Sequence, residues 1–247
     1  LKRCTIEIIG FTIEGCRAAQ AAGAQRIELC DNPGEGGTTP SHGFITAARK
    51  LLQVPLYPLI RPRGGDFFYS SLEFEIMMTD LQTCKELGCD GVVLGLLNKD
   101  GSIDKKRTAR LVELAYPMEV GFHRAFDRCA NPFEALEHII DTGCERILTS
   151  GQQPTAVQGA MLIGELVNQA NGRISIMPGS GVNSSNIIEL AQKTGATEFH
   201  SSARMFVPGM MEYTHTAMNE KMQSLTVDDA EVRKMVSLLQ EYSMKAV

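Results

Sequence analysis

Short apolar runs alternate with longer amphipathic stretches along this chain, and most of the runs end in charged or polar residues. Residues 3–9 (Arg-Cys-Thr-Ile-Glu-Ile-Ile) read as a β-branched strand. Thr12 stands where a helix N-cap is expected, and Gly23 ends that helix in the left-handed conformation glycine adopts at low cost. The strand Arg26-Ile-Glu-Leu-Cys30 follows directly. The same ending then recurs. Gly88 closes a helix begun near Ser71 and leads to Gly91-Val-Val-Leu-Gly95; Gly143 leads to Arg146-Ile-Leu-Thr-Ser150; Gly195 leads to Glu198-Phe-His-Ser201. The four glycines lie 65, 55 and 52 residues apart, and each interval holds one further strand, at 55–61, 119–124 and 174–178.

Eight strands alternating with helices leave an open doubly wound sheet or a closed barrel, and eight evenly spaced units predict the α/β fold of a TIM (β/α)8 barrel. The helix starts agree. Asn131-Pro132-x-Glu134 combines an N-cap, a first-turn proline and a capping-box glutamate, Asp104 caps the helix before Pro117, and Asn183 is expected to cap the helix after strand seven. The rhythm breaks after strand eight. Residues 205–225 hold five of the twelve methionines (205, 210, 211, 218, 222) without helical or strand periodicity and read as an insertion or flexible loop. A final helix at 228–242 places Val232, Met235, Val236 and Leu239 at helical spacing. The expectation is one domain over 1–247, with a barrel core at about 2–204 and the methionine-rich loop and last helix in 205–247.

Length fits that reading, since 247 residues is close to the ~250 of a typical barrel. A net charge of −5 argues against a nucleic acid as main partner. No apolar run approaches the ~20 residues that cross a bilayer, and the sequence, which opens on Leu1, has no basic-then-apolar leader. Seven scattered cysteines without a C-x-x-C pair argue against a disulfide framework or structural zinc. A cytoplasmic protein with reduced thiols is expected, with no membrane or nucleic-acid partner.

The chemistry should lie at the carboxyl ends of the strands, the active face of α/β folds. The most telling stretch is Glu119-Val-Gly-Phe-His-Arg-Ala-Phe-Asp127, a strand that runs into a histidine, an arginine and an aspartate. The strand ends carry Glu7; Glu28 and Cys30; Arg61 and Arg63; His123, Arg124 and Asp127; Thr149 and Ser150; His200 and Ser201. Of these, Glu7, Glu28, Arg61, His123, Arg124, Asp127 and His200 are the catalytic candidates. Glu7 and Glu28 sit in otherwise apolar strands, where an unpaired carboxylate is costly, and are expected to meet Arg61, Arg124 or another barrel-facing cation. Two readings stay open: a structural ion network filling the barrel, or a ring of carboxylates, imidazole and guanidinium groups around a small anionic ligand. Two histidines with a glutamate would also suffice for a three-ligand metal site. The loop 33–40 is placed to be a lid. Met177-Pro-Gly-Ser-Gly-Val-Asn183 and Ser201-Ser-Ala-Arg204 match the place where many barrels cradle phosphate, which makes Gly179, Gly181, Asn183, Ser201 and Arg204 candidate anion-binding residues.

Several of these stretches are long enough to be specific. Arg26-Ile-Glu-Leu-Cys30, Glu35-Gly-Gly-Thr-Thr-Pro40, Ile60-Arg-Pro-Arg-Gly-Gly-Asp66, Phe122-His-Arg-Ala-Phe-Asp127, Arg146-Ile-Leu-Thr-Ser-Gly151, Met177-Pro-Gly and Ala196-Thr-Glu-Phe-His200 resemble, in order, the CutC family. The resemblance implies a cytoplasmic TIM barrel, a homodimer or higher homo-oligomer, and a role in copper homeostasis. Copper is thus the cofactor the resemblance makes possible, with Cys30 as the metal candidate because it matches the family's second-strand cysteine. The copper-associated first-strand cysteine of the family is replaced here by Ile9 in Glu7-Ile-Ile, so no soft-ligand cluster supports that cofactor. The alternative is an enzyme acting on a small anionic or phosphorylated metabolite, with His123 in acid/base work and Arg61 and Arg124 as anion clamps.

Overall fold

In the computed structural model, residues 4–219 and 222–245 are described; Lys2 and Arg3, expected at the edge of the core and in the first strand, lie outside the described residues, as do positions 220 and 221 of the expected loop. Eight strands alternate with eight α-helices: β1 (Thr5–Gly10), α1 (Ile13–Ala21), β2 (Arg26–Leu29), α2 (His42–Leu51), β3 (Leu56–Pro58), α3 (Ser71–Glu86), β4 (Gly91–Leu94), α4 (Lys105–Ala115), β5 (Glu119–Phe122), α5 (Pro132–Thr142), β6 (Arg146–Thr149), α6 (Ala160–Ala170), β7 (Ser175–Pro178), α7 (Ile187–Thr194), β8 (Glu198–Ser201) and, after a hairpin of β9 (Arg204–Pro208) and β10 (Gln223–Val227), α8 (Asp229–Lys245). The parallel strands form two arcs, β3-β2-β1-β8 and β4-β5-β6-β7. Leu59 bridges Val93, and Ile60 N donates to Val93 O at 2.7 Å, which joins β3 to β4. β7 and β8 lie side by side without a ladder among the described residues. The result is the expected TIM barrel.

Strand alternation sorts the side chains into two layers. Ile6, Ile8, Ile27, Leu29, Val92, Leu94, Val120, Phe122, Ile147 and Phe199 point outward into the main core, where they meet the apolar faces of the helices. Each such side chain stabilises the fold by about 1.5–3 kcal/mol on burial. The alternate positions point inward. Ile9, Cys30, Tyr57, Leu59 and Val93 form a small apolar cluster inside the barrel. The rest of the interior is ionic. Arg26 binds Glu7 at 2.6 Å and Glu198 at 2.5 Å; Arg146 binds Glu119 at 2.6 Å and Glu198 at 3.3 Å. Tyr57 donates to Glu119, and both guanidinium groups lie 5.2 Å from its ring centroid. A structural ion network therefore does fill the lower barrel, and its cations are Arg26 and Arg146. The expected partners Arg61 and Arg124 play no part in it.

The repeated glycines have the predicted backbone, with φ of 97°, 74°, 86° and 71° at Gly23, Gly88, Gly143 and Gly195. Thr12, Asp104 and Asn131 cap α1, α4 and α5 as expected, although no Glu134 side-chain bond completes a box at Asn131. Asn183 does not cap α7. Its Oδ1 instead accepts from Ser185 N and Oγ in a turn that precedes the helix, which begins at Ile187. The expected flexible loop at 205–225 is also corrected: its ends pair as an antiparallel hairpin, Phe206 opposite Leu225 and Arg204 opposite Val227. No apolar–polar alternation marks the first strand of this ribbon, because its adjacent Met205 and Phe206 are both exposed. Val227 is buried against Gly15, which anchors the hairpin to the start of α1, and α8 packs against α1 and α7 as the eighth helix of the barrel. No helix among the described residues is long and apolar enough to cross a membrane.

Candidate functional site

At the carboxyl ends of the strands a cavity of about 210 Å³ opens, and Glu28, His123, Arg124 and His200 all line it. Ile9, Leu59, Phe67 and Leu148 supply its apolar floor and walls; Gly36, Ser180, Gly181, Ser202 and Arg204 supply the rim. Glu28 and His200 come from the β3-β2-β1-β8 arc, and His123 from the end of β5 in the other arc, so the titratable groups face one another across the barrel.

The first wall is a relay of three buried groups. Parallel registers set Glu7 beside both Arg26 and His200. Glu7 Oε2 takes Arg26 Nε, and Glu7 Oε1 lies 2.7 Å from His200 Nδ1. His200 Nε2 then lies 3.8 Å from Glu28 Oε2. Burial alone would raise the pKa of Glu7, but Arg26 and His200 bring it down to about 2. Burial opposes the His200 imidazolium, yet the bond to Glu7 and the charge of Glu28 raise its pKa above the ordinary histidine value. Glu28 is buried, helped by His200 and opposed by Glu7, and is pushed up to about 7. This wall thus carries a fixed carboxylate, an imidazole biased toward its protonated form and, near neutral pH, a glutamate poised to gain or lose a proton. The three donor atoms lie within 4.8 Å of one another, a spacing a cation could bridge. Both Glu7 oxygens are already taken, however, which favours proton relay over ligation.

His123 behaves differently. Burial, followed by the charge of Arg61, lowers its pKa to about 3, so the ring is neutral. Ala125 N donates to His123 Nδ1 at 3.1 Å, which fixes the ring proton on Nε2. Nε2 is buried and has no partner among the described residues. The ring is held at 5.0 Å from that of Phe67, and Gly95 makes room for it: a Cβ there would stand 2.5 Å from Nδ1.

The remaining candidates divide into rim and scaffold. Arg124 lines the cavity, with Nε on Asp127 and Nη2 on Ser150. Asp127 is a buried hub that accepts from Thr149 Oγ1, Ser150 N and Oγ, and Gln152 N, pinning the loop after β6 to the turn after β5. Arg61 is not an anion clamp. Its guanidinium donates to the carbonyls of Glu35, Gly37 and Gly65, so it fastens the 33–40 loop as a fixed rim, and the expected lid is not a free flap. Cys30 is fully buried beside Glu28 in the apolar cluster, and burial with the Glu28 charge drives its thiol pKa well up.

On the rim between β7 and β8 the anion candidates also separate. Gly181 and Arg204 line the cavity. Gly179 N is used by Thr149 O, Ser201 Oγ by Val182 O, and Asn183 by its turn, which makes these three structural. Ser180 and Ser202, which lie inside the two predicted stretches but are not singled out there, stand in their place. Ser180 and Gly181 both have φ of 76°, and the amides of Ser180, Gly181 and Ser202 donate to no protein group among the described residues. A non-glycine residue held at positive φ beside a cavity, as Ser180 is, leaves no mark in the sequence. Phe67 and Leu148 were missed as well, since apolar residues carry no chemical flag.

The molecule is, as a class, a TIM barrel with a polar cavity at the carboxyl ends of its strands. It belongs to the CutC family, whose profile matches residues 4–205. The chain is 53% identical over 208 residues to a family protein CutC of Chromobacterium violaceum, covering 84% of each chain. It is likewise 53% identical over 209 residues to one of Parabacteroides distasonis, covering 84% of this chain and 86% of that one. Among solved structures it is similar to the putative copper homeostasis protein CutC of Streptococcus agalactiae, with a TM-score of 0.77, 33% identity, and coverage of 81% of this chain and 98% of the other.

Proposed function

We propose that this CutC family member is a cytoplasmic enzyme that binds a small anionic metabolite at the barrel mouth and performs acid–base chemistry on it. The observation that carries this reading is the meeting of Glu28, His200 and His123, from opposite halves of the barrel, around one cavity rimmed by free amides and by Arg124 and Arg204. Buried titratable groups whose environments push their pKa values apart are what acid–base catalysis requires. The cavity is smaller than the roughly 300–1,000 Å³ of drug-sized pockets, which favours a metabolite of a few carbons.

The streptococcal relative is named for copper homeostasis, but copper fits the residues here poorly. Cu(I) is held by soft thiolate or thioether ligands that converge. The donors that converge here are two carboxylates and an imidazole, and Cys30, buried with its thiol protonated, is outside the cavity wall. The test is equilibrium binding of inorganic phosphate, followed by calorimetry at neutral pH, in wild type and Arg204→Ala. Saturable 1:1 binding weakened at least fivefold by the substitution supports the reading. Absence of binding in the wild type, or equal binding in both proteins, counts against it.

A further inference from the structure

The two walls of the cavity are chemically unequal. One presents an ionisable carboxylate, Glu28, steadied by His200. The other presents a neutral imidazole whose Nε2–H is buried, without a partner among the described residues and set at the cavity wall, its tautomer fixed from behind by Ala125 N. A buried N–H left unpaired is costly, and such a group in a cavity calls for an acceptor on the ligand. A neutral imidazole suits a carbonyl oxygen, since it stabilises the charge that develops there without binding a ground-state anion as tightly as an imidazolium would. A third feature stands apart from both. The left-handed Ser180-Gly181 turn and Ser202 present amides at the β7–β8 side, with Arg204 beside them, a concavity suited to a phosphate dianion.

We propose that the cavity takes a phosphorylated α-hydroxy ketone or aldehyde and catalyses reversible removal of the proton α to its carbonyl, with Glu28 as the base and His123 Nε2–H as the donor to the carbonyl oxygen. The inference rests on the anion-binding reading above and deepens it. The Glu28 carboxylate takes the proton from the carbon bearing the hydroxyl. The C–H electron pair becomes the new C=C bond, and the carbonyl π pair moves onto oxygen, where His123 Nε2–H holds it as an enolate. Glu28 then returns the proton to carbon, so the cycle closes with no oxidant or reductant. This is the step shared by isomerisation and epimerisation. Glu28 is half-ionised near neutrality, which suits a group that must take and return one proton. Phe67 and Leu148 keep the reacting carbons from water.

Phosphoglycolohydroxamate mimics the planar enolate and its phosphate, whereas glycerol 3-phosphate carries the phosphate on a tetrahedral carbon chain. Calorimetry should show the first binding at least tenfold more tightly than the second. Glu28→Gln and His123→Phe should each remove most of that preference. Equal affinities in the wild type would overturn the proton-transfer assignment and leave the anion site standing. A tenfold preference that persists undiminished in both variants would overturn the roles of Glu28 and His123. Binding of neither compound would overturn this inference together with the reading it rests on. Thermal melts of both variants check folding, and if either fails to fold the wild-type comparison still decides.

Discussion

Glu7 and His200 share a buried hydrogen bond of 2.7 Å, and this one contact joins the structural half of the barrel interior to its chemical half. Below it, Glu7 pairs with Arg26 in the ion network; above it, His200 turns its other nitrogen toward Glu28 and the cavity. Glu7→Gln should therefore have two effects. Breaking a buried ion pair from one side costs on the order of 3–5 kcal/mol, read by urea denaturation. The His200 pKa should fall, read by imidazole NMR, because the charged Glu7 partner is gone and only the Glu28 charge still raises it. A variant as stable as wild type, with an unmoved His200 titration, would mean that the two halves are independent.

Acid should act through His123. Its folded pKa of about 3 lies below the ordinary 6.5, so between these values the unfolded chain binds a proton that the native protein does not. Stability contributed by the neutral ring is complete above pH 6.5 and is lost as pH falls toward 3, by up to roughly 1.4 kcal/mol per unit. Glu28 has the opposite sign: its raised pKa of about 7 means stability is lost as pH rises from 4.5 through 7. In urea titrations the advantage of wild type over His123→Gln should shrink steadily below pH 6.5. A constant difference from pH 6.5 down to 4 would show that the ring is not held neutral by the fold.

Arg61 and Arg124 follow adjacent pieces of sequence logic, and the structure gives them different work. Arg61→Ala removes three bonds to loop carbonyls and should cost about 2–4 kcal/mol. Arg124, partly exposed beside an Asp127 that keeps four other donors, should cost about 1 kcal/mol when cut to alanine. Its loss should instead weaken phosphate binding. The reverse pattern, with Arg124→Ala the less stable variant and Arg61→Ala the weaker binder, would return Arg61 to the ligand.

The division explains what the sequence could and could not disclose. Helix ends marked by glycine are local, set by φ at a single residue, and so the eight-unit barrel was legible from Gly23, Gly88, Gly143 and Gly195. Glu28, His123, Arg124 and His200 were legible as cavity residues because strand ends of a barrel converge whatever the loops do. Which cation meets which carboxylate was not. Arg26 and Arg146 stand two residues before inward-facing Glu28 and Leu148, so strand alternation places them inside too, but at the strands' opening ends, away from the expected face. The turn at Ser180 and the register of the β9–β10 hairpin depend on contacts across more than one element, which no single stretch records.

Copper gives the sharpest test of the family's name on this chain. Ile9 fills the position beside Cys30 where a second thiol would be needed, and both lie in one apolar cluster. Of the other cysteines, Cys84 is paired with Cys89, while Cys144 is hydrogen-bonded to Thr142 and Cys129 to Gln152. Burial raises the thiol pKa of Cys16, Cys129 and Cys144 to about 12, so these three offer no ready thiolate, whereas the hydrogen bond from Cys84 lowers that of Cys89. Soft donors gather in two places away from the cavity: the Cys84–Cys89 pair, and the hairpin, where Met211, Met218 and Met222 line a shallow hollow with His215. Thioethers bind Cu(I) more weakly than thiolates, so any copper there should be displaced readily. A competition titration against a Cu(I) chelator should show no tight stoichiometric binding, and Cys30→Ser should leave the curve unchanged. One tight equivalent lost on Cys30→Ser would restore copper to the barrel. One tight equivalent that survives it but disappears with Met218→Ala would place copper on the hairpin, away from the acid–base cavity.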